Sequence, residues 1–120
     1  MKRKILVVDD EPDVRQFLKK RLERNKYTVI IAKDGAECIS KARTDEPDLI
    51  LLDIVMPLMD GYEVIKKLRS DTETMMIPVI MHSVRKETNS IIKSLDLGSV
   101  DYVMKPARFE ELLRVVKRYV

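Results

Sequence analysis

Five side chains that can bind a metal ion or a phosphoryl group follow apolar segments of this sequence. Asp9 and Asp10 follow "KILVV", Asp53 follows "DLILL", Ser83 ends "IPVIMHS" and Lys105 follows "VDYVM". An ionised carboxylate at the end of a buried strand is costly unless water, a metal ion or a cation receives it. The recurrence of such groups after apolar runs therefore indicates one shared site.

The three aspartates would repel one another if they were gathered in one cleft. A divalent cation would remove that repulsion, and oxygen ligands without a nearby His or Cys favour Mg²⁺ over zinc. Lys105 would add a fixed positive charge, and Ser83 would add a hydroxyl group. These groups can stabilise a phosphoryl group electrostatically, with Asp53 as the nucleophile. The residue types therefore indicate Mg²⁺-dependent phosphoryl transfer.

Short apolar runs alternate with longer amphipathic stretches along the chain. Strands are expected at residues 4–8, 28–32, 48–52, 77–83 and 100–104, and helices at 12–24, 35–43, 61–70, 86–98 and 108–120. Apolar strands separated by helices are typical of a parallel sheet that is covered on both faces and joined by right-handed crossovers. In an open α/β sheet the ligand site lies at the carboxyl ends of the strands. The expected fold therefore brings the five side chains into one cleft.

Length and composition fit one globular domain. The 120 residues are 45% hydrophobic and 36% charged, which suffices for one core. No apolar stretch approaches the roughly 18 residues of a membrane span, and "MKRKILVVDD" does not resemble a signal peptide. The lone Cys38 excludes an internal disulfide and is expected to pack in the core. We therefore expect a soluble, cytoplasmic domain with no membrane partner.

The charge pattern does not favour nucleic-acid binding. The formal net charge is only +3, and the clearest basic segment is "RQFLKKRLERNK". This segment has no aromatic interleaving and no nucleic-acid motif, so we interpret it as the solvated face of the first helix. We expect no direct contact with nucleic acid.

Four motifs together resemble the response-regulator receiver domain of bacterial two-component signalling, the CheY-like family. They are "ILVVDDEPDVR", "DLILLDIVMPLMDGYEVIKKLR", "IPVIMHS" and "DYVMKP", and the resemblance makes residues 1–120 one receiver domain. It implies a flavodoxin-like, doubly wound fold with five parallel strands in the order 2-1-3-4-5 and five helices. It also implies a phosphorylation-dependent signalling switch that catalyses its own phosphorylation and dephosphorylation, rather than an enzyme.

The resemblance assigns roles to the acidic residues. Asp53 would accept a phosphoryl group from the phosphohistidine of a sensor histidine kinase or a phosphotransfer protein. Asp10 would bind Mg²⁺ directly and Asp9 mainly through water. Asp53 itself and the backbone carbonyl of Val55 would be further ligands of the ion.

The remaining site residues would bind the phosphoryl oxygens and transmit the signal. Ser83 and Lys105 would contact the oxygens. Tyr102 matches the aromatic switch position of the family, whose ring turns inward when the hydroxyl of Ser83 is drawn to the phosphoryl group. The signal would leave through the fourth helix, fifth strand and fifth helix, toward a downstream effector domain or protein.

The first helix is the expected docking surface for the kinase. Its apolar positions 14, 17, 18 and 22 form a wider stripe than one sheet face requires, so Val14 and Phe17 are expected to be partly exposed beside Asp53. In similar receivers this helix and the loop after Lys105 dock on the helical bundle that carries the phosphohistidine. Val14, Phe17 and Pro106 are therefore the expected docking residues, and the resemblance implies a cis peptide bond before Pro106.

Some residues near the site are expected to be structural. Met56, Met59 and Asp60 would shape the loop after Asp53, with Gly61 permitting the turn into the third helix. Strand alternation points His82 away from Ser83, which favours a peripheral structural role.

Three positions depart from the common family pattern. Ser83 replaces the more usual threonine and keeps the hydroxyl group. Val84 stands where alanine or glycine is frequent and narrows access to the cleft. Ala107 follows Lys-Pro where phenylalanine is frequent. It should weaken an apolar patch that many kinase partners touch.

Three other functions are compatible with parts of the pattern. A haloacid-dehalogenase-like phosphohydrolase would need a second aspartate two residues after Asp53, where this chain has Val55. A flavin or dinucleotide carrier would need a glycine- or hydroxyl-rich loop where this chain has "DDEPD". A receiver-like module that docks without phosphorylation is disfavoured by the complete set of acids, hydroxyl and lysine, but it stays open.

Overall fold

The chain folds into a five-stranded parallel sheet with helices on both faces. The computed structural model describes residues 2–120. Its elements are β1 (Lys4–Val8), α1 (Pro12–Arg24), β2 (Thr28–Ala32), α2 (Gly35–Asp45), β3 (Leu49–Leu52), α3 (Gly61–Arg69), β4 (Val79–Ser83), α4 (Thr88–Asp96), β5 (Asp101–Met104) and α5 (Phe109–Val116). All paired strands are parallel, in the order β2-β1-β3-β4-β5. The expected fold class and strand order are confirmed.

The later elements are shorter than the apolar pattern predicts. β4 begins at Val79 rather than at residue 77, because Pro78 has no N–H and joins the ladder only through its carbonyl, which accepts from the Ile50 N–H at 3.0 Å. α5 ends at Val116 and continues as a turn, in which the Arg118 N–H donates to the Val115 carbonyl at 3.0 Å. Within residues 2–120 we find no helix with the length and apolarity that crossing a membrane requires.

The sheet separates two apolar clusters because successive strand residues point to opposite faces. The α2–α3 cluster includes Leu6, Ile50, Leu52, Met81, Val64 and Ile65. The α1–α5 cluster includes Ile5, Leu49, Leu51, Ile80, Leu18 and Leu112. Cys38 is fully buried in the α2–α3 cluster, and this burial raises the pKa of its thiol to about 12, as expected for a packing residue.

Candidate functional site

The carboxyl ends of four strands bring the predicted side chains to one edge of the sheet. Asp9 and Asp10 directly follow β1, and Asp53 follows the neighbouring strand β3. Ser83 is the last residue of β4, and Lys105 follows β5. One carboxylate oxygen from each aspartate lies within 4.8 Å of the others. The crossovers thus create an acidic cluster from residues that are far apart in the chain.

Lys105 offsets part of the negative charge of this cluster. Its ammonium group forms ion pairs with Asp9 and, at 3.4 Å, with Asp53. Asp9 and Asp53 are only 2% and 5% exposed, whereas Asp10 is exposed. The cluster therefore has three carboxylates and one ammonium group, which pairs with two of them, and the excess of oxygen ligands fits a hard divalent cation.

Burial and charge change the pKa values of Asp53 and Lys105. Burial raises the pKa of Asp53 to about 6; the charge of Lys105 opposes this increase, and that of Asp9 adds to it. For Lys105, burial lowers the pKa, but the hydrogen bond to Asp9 and the charge of Asp53 outweigh burial and raise it overall. At neutral pH, Asp53 is therefore mostly ionised beside a charged lysine.

The loop between β3 and α3 contacts both the side chain and the backbone of Asp53. The Val55 N–H donates to Asp53 Oδ1 at 3.2 Å. Asp60 is the N-cap of α3, and its Oδ1 accepts from the Glu63 N–H at 2.9 Å. A Cβ atom on Gly61 would lie 2.6 Å from the carbonyl oxygen of Asp53. The close approach of α3 to Asp53 therefore requires glycine at position 61. The φ of Gly61 is not positive, so the turn into α3 does not itself require glycine there.

Asp9 is oriented by groups that the sequence did not single out. Asp9 Oδ1 accepts from the Glu11 N–H at 3.0 Å, and Arg15 Nη1 donates to the Asp9 carbonyl at 2.8 Å. Arg15 belongs to the segment interpreted as a solvated basic face. The sequence signal that could have indicated this contact is the spacing of six residues between Asp9 and Arg15. This spacing places Arg15 in the first turn of α1, close to the end of β1.

The two predicted switch residues both contact the loop between β4 and α4. Ser83 is fully buried, and its Oγ accepts from the Arg85 N–H at 3.3 Å. The Tyr102 hydroxyl donates to the Arg85 carbonyl at 2.7 Å, and its half-buried ring packs against the α2–α3 cluster. The position of Arg85 therefore depends on both residues.

Tyr62 of α3 contacts the same loop and was not predicted. The Arg85 guanidinium carbon lies 5.9 Å from the Tyr62 ring centroid, and Lys93 Nζ of α4 lies 4.3 Å from it. The Tyr62 hydroxyl donates to the Ser90 carbonyl at 3.4 Å. These cation–π contacts join α3 to α4. The sequence carries no signal for them, because α3 and α4 are separated by β4.

The expected docking residues lie at a groove between α1 and α5. Val14 is half-buried and Phe17 is 49% exposed, as predicted. Pro106 is exposed, and it follows a cis peptide bond, as predicted for that bond. The groove adjoins the acidic cluster through Lys105, and Asp53 does not line it. Their contact with a kinase stays a prediction.

His82 also lines this groove. Strand alternation directs it to the side of the sheet opposite the α2–α3 cluster, away from Ser83 as expected. His82 is only 8% exposed, and its expected structural role stays a prediction. Burial lowers its pKa to about 4, with the charge of Lys105 acting in the same direction.

This geometry agrees with a comparison to known families. The sequence profile described as response regulator receiver domain matches residues 5–117. The chain belongs to this family. The receiver is 44% identical over 117 residues to the alkaline phosphatase synthesis transcriptional regulatory protein PhoP of Bacillus subtilis, an alignment that covers 98% of this chain and 48% of PhoP. It is 41% identical to the response regulator MprA of Mycobacterium ulcerans over 92% of this chain and 47% of MprA.

Solved structures support the same assignment. The chemotaxis protein CheY4 of Vibrio cholerae superimposes with a TM-score of 0.95 at 29% identity, and the alignment covers 100% of both chains. A two-component response regulator from Clostridium difficile gives a TM-score of 0.92 at 32% identity, covering 98% of this chain and 95% of that one. The chain spans about half the length of PhoP and MprA. It is the receiver domain of a signalling switch, which rules out the phosphohydrolase and dinucleotide-carrier alternatives.

Proposed function

We propose that residues 1–120 form one receiver domain that accepts a phosphoryl group on Asp53 from a histidine kinase or a phosphotransfer protein. The observation that carries this proposal is the buried Asp53 carboxylate, held 3.4 Å from Lys105 at the end of β3. An Asp53 carboxylate oxygen attacks the phosphorus of a phosphohistidine, and the P–N bond breaks with its electron pair left on the imidazole. Lys105 and the hydroxyl of Ser83 then stabilise charge on the phosphoryl oxygens.

The acidic cluster supports Mg²⁺ as the cofactor. Oxygens of Asp9, Asp10 and Asp53 lie within 4.8 Å of one another, and oxygen-only ligands suit this ion. Asp10 is exposed and would bind the ion directly. Both oxygens of Asp9 already accept hydrogen bonds, so Asp9 would act mainly through water, with the backbone carbonyl of Val55 as a further ligand. When bound, Mg²⁺ stabilises negative charge on the phosphoryl oxygens.

The same residues would act on the receiver's own phosphoryl group. Lys105 and Ser83 would stabilise the transferring phosphoryl group both when Asp53 attacks a donor and when water attacks the aspartyl phosphate. The receiver would therefore catalyse its own phosphorylation and dephosphorylation without being an enzyme for a separate substrate.

The proposed output surface is the face formed by α4, β5 and α5. Drawing the hydroxyl of Ser83 to a phosphoryl group would weaken its hydrogen bond with the Arg85 N–H, and Tyr102 holds the carbonyl of the same residue. Phosphorylation would thus shift the population of the β4–α4 loop. PhoP is named a transcriptional regulatory protein, which supports an effector domain or protein as the downstream partner. We propose that the receiver acts in the cytoplasm and does not itself contact nucleic acid.

Acetyl phosphate tests the proposed phosphorylation without a kinase. With Mg²⁺, intact-protein mass measurement should show the gain of one phosphoryl group, and chelation of Mg²⁺ should prevent it. Asp53→Asn should show no gain. Asp60→Asn is the matched control, because asparagine is also a good N-cap and Asp60 lies outside the acidic cluster.

Two results would contradict the proposal. An adduct on Asp53→Asn would place the phosphoryl group on another residue. No adduct on the unmodified chain in the presence of Mg²⁺ would favour the docking module that acts without phosphorylation.

A further inference from the structure

Helix α4 is fixed to α3 at its carboxyl end. The carbonyl of Gly98 accepts from Arg69 Nη2 at 2.9 Å and from Arg69 Nε at 3.2 Å. The Ser99 N–H donates to the Ser94 carbonyl at 2.9 Å, and the Ser99 hydroxyl donates to the Ser94 hydroxyl at 3.2 Å. The φ of Gly98 is 109°, and a Cβ atom at this position would lie 2.8 Å from Arg69 Nε. The close packing of Arg69 therefore leaves this end of the helix little freedom to move.

The amino end of α4 has fewer supports. Glu87 is the N-cap residue, but within residues 2–120 its side chain accepts no hydrogen bond from a backbone N–H of the first turn. A helix end without such a cap leaves those N–H groups to water. In α4, all of which the structure describes, Ser94 is the one buried residue, and it belongs to the carboxyl half. The amino half of α4 is therefore the part whose position can change at low cost.

Tyr62 of α3 contacts α4 ahead of its fixed end. The centroid of its buried ring lies 4.3 Å from Lys93 Nζ, and its hydroxyl donates to the Ser90 carbonyl at 3.4 Å. The same centroid lies 5.9 Å from the guanidinium carbon of Arg85, in the loop between β4 and α4. Both cations are attracted by the negative face of the aromatic ring. Tyr62 thus joins α4 and the β4–α4 loop to the α2–α3 cluster, to which it belongs.

The backbone of Arg85 is held by the two predicted switch residues. Its N–H donates to Ser83 Oγ at 3.3 Å, and its carbonyl accepts from the Tyr102 hydroxyl at 2.7 Å. When Ser83 turns toward a phosphoryl group, the Arg85 N–H loses its partner, and the guanidinium loses the backbone that places it over the Tyr62 ring. The contact with Tyr62 is thus one that the unphosphorylated state makes and the phosphorylated state would lose. An interaction that differs between two states shifts their populations.

We infer that Tyr62 is a latch for the unphosphorylated state: its ring binds Arg85 and Lys93 and thereby opposes the shift of the β4–α4 loop and α4. This inference rests on the proposed function, because Ser83 releases Arg85 when a phosphoryl group is bound at Asp53. Binding of that group breaks the contacts of the latch, which lowers its apparent affinity. A chain without the latch should therefore bind a phosphoryl analogue more tightly.

Beryllofluoride with Mg²⁺ tests the latch, because it mimics an aspartyl phosphate and binds reversibly. Tyr62→Leu removes the ring and should lower the dissociation constant of beryllofluoride by at least about fivefold, as expected for the loss of two cation–π contacts. Tyr62→Phe is the matched control: it keeps the ring and should leave the dissociation constant within about twofold. An NMR titration that follows the Arg85 amide signal measures both values. Equal tightening by the two variants would contradict a role for the ring.

Lys93→Met gives a second test at an exposed position. It keeps an apolar side chain but removes the charge over the Tyr62 ring, so the dissociation constant should fall by at least about twofold. Loss of positive charge by itself would weaken the binding of negatively charged beryllofluoride, so the expected direction separates the latch from long-range electrostatics. Lys66→Met, on the exposed face of α3, is the matched charge control and should not tighten binding.

Amide hydrogen exchange without beryllofluoride tests the latch independently of the proposed function. Tyr62→Leu should accelerate exchange of the Arg85 and Ile91 amides by at least about fivefold, and it should leave the Ser99 amide, at the fixed end of α4, unchanged. Equal acceleration at all three amides, or a dissociation constant that does not fall in Tyr62→Leu and Lys93→Met, would overturn the inference. Absence of Mg²⁺-dependent beryllofluoride binding to the unmodified chain would count against the proposed function, and hydrogen exchange would then decide on the latch.

Discussion

Individual residues around Asp53 determine how water can approach its phosphorylated form. The side chain of Val55 is 46% exposed beside Asp53 and cannot hydrogen-bond water. Arg85 can only donate, and its guanidinium lies over the ring of Tyr62. Neither side chain can accept a proton from an attacking water. We therefore expect an aspartyl phosphate that is long-lived for a receiver.

Replacement of both side chains should shorten the lifetime of the aspartyl phosphate. Val55→Asn combined with Arg85→Glu supplies groups that can orient water and accept its proton. The double variant should lose its phosphoryl group more than about tenfold faster, equivalent to 1.4 kcal/mol of barrier. The measurement is the decay of the phosphorylated mass after removal of acetyl phosphate. Lys86→Glu controls for the change of charge on the same loop, and an unchanged decay rate in the double variant would reject this explanation.

Among the secondary-structure elements, α1 ends in a hydrogen-bonded motif that its sequence does not fully suit. The Tyr27 N–H donates to the Leu22 carbonyl at 3.2 Å, and the Lys26 N–H donates to the Glu23 carbonyl at 3.0 Å, which is the Schellman pattern. Tyr27 and Leu22 also share the α1–α5 cluster. The motif places Lys26 at a φ of 70°, a conformation that glycine adopts without strain.

Lys26→Gly should therefore stabilise the fold. Relief of the left-handed strain should exceed the entropy that glycine adds to the unfolded chain, for a net gain of about 0.5–1 kcal/mol in the free energy of unfolding. Urea denaturation measures this gain. Lys26→Ala is the matched control: it removes the same charge but keeps the Cβ atom, so it should show no gain. Equal stabilisation by both variants would attribute the effect to charge.

For the whole molecule, the buried acidic cluster links stability to pH. Burial raises the pKa of Asp53 from 3.8 to about 6. Between these pH values the folded chain holds a proton on Asp53 that the unfolded chain has released. The stabilisation by this group is therefore complete below pH 3.8. The contribution is lost as the pH rises through about 6. The pKa difference lowers the free energy of unfolding by about 3 kcal/mol at neutral pH, relative to its value below pH 3.8.

Asp53→Asn should remove this penalty. Without Mg²⁺, the substitution should raise the free energy of unfolding by about 2–3 kcal/mol near pH 7.5 and by much less near pH 4. Urea denaturation at the two pH values, with a chelator present, measures the difference. Asp60→Asn should change stability little at either pH. A gain for Asp53→Asn that is the same at both pH values would show that titration of Asp53 is not its cause.

The sequence by itself determined the number, type and order of the elements, and it placed the candidate site residues at strand ends. Apolar periodicity records which positions along a segment are buried, so "KILVV" and "TVIIA" predict β1 and β2 residue for residue. The alternation of strands and helices then implied a parallel sheet with its ligand site at the carboxyl edge. The strand order, in contrast, came from the family resemblance, since periodicity does not specify which strands are neighbours.

Only the tertiary structure decided which distant side chains meet. The contacts of Arg15 with Asp9 and of Arg85 with Tyr62 join separate elements, and so does the burial of His82 in a groove between α1 and α5. The tertiary structure also explains why position 61 requires glycine: the backbone of Asp53 lies too close to the start of α3 for a Cβ atom. Such contacts depend on how the crossover connections pack the helices against the sheet. The local pattern of apolar and polar residues does not specify the distances between separate elements.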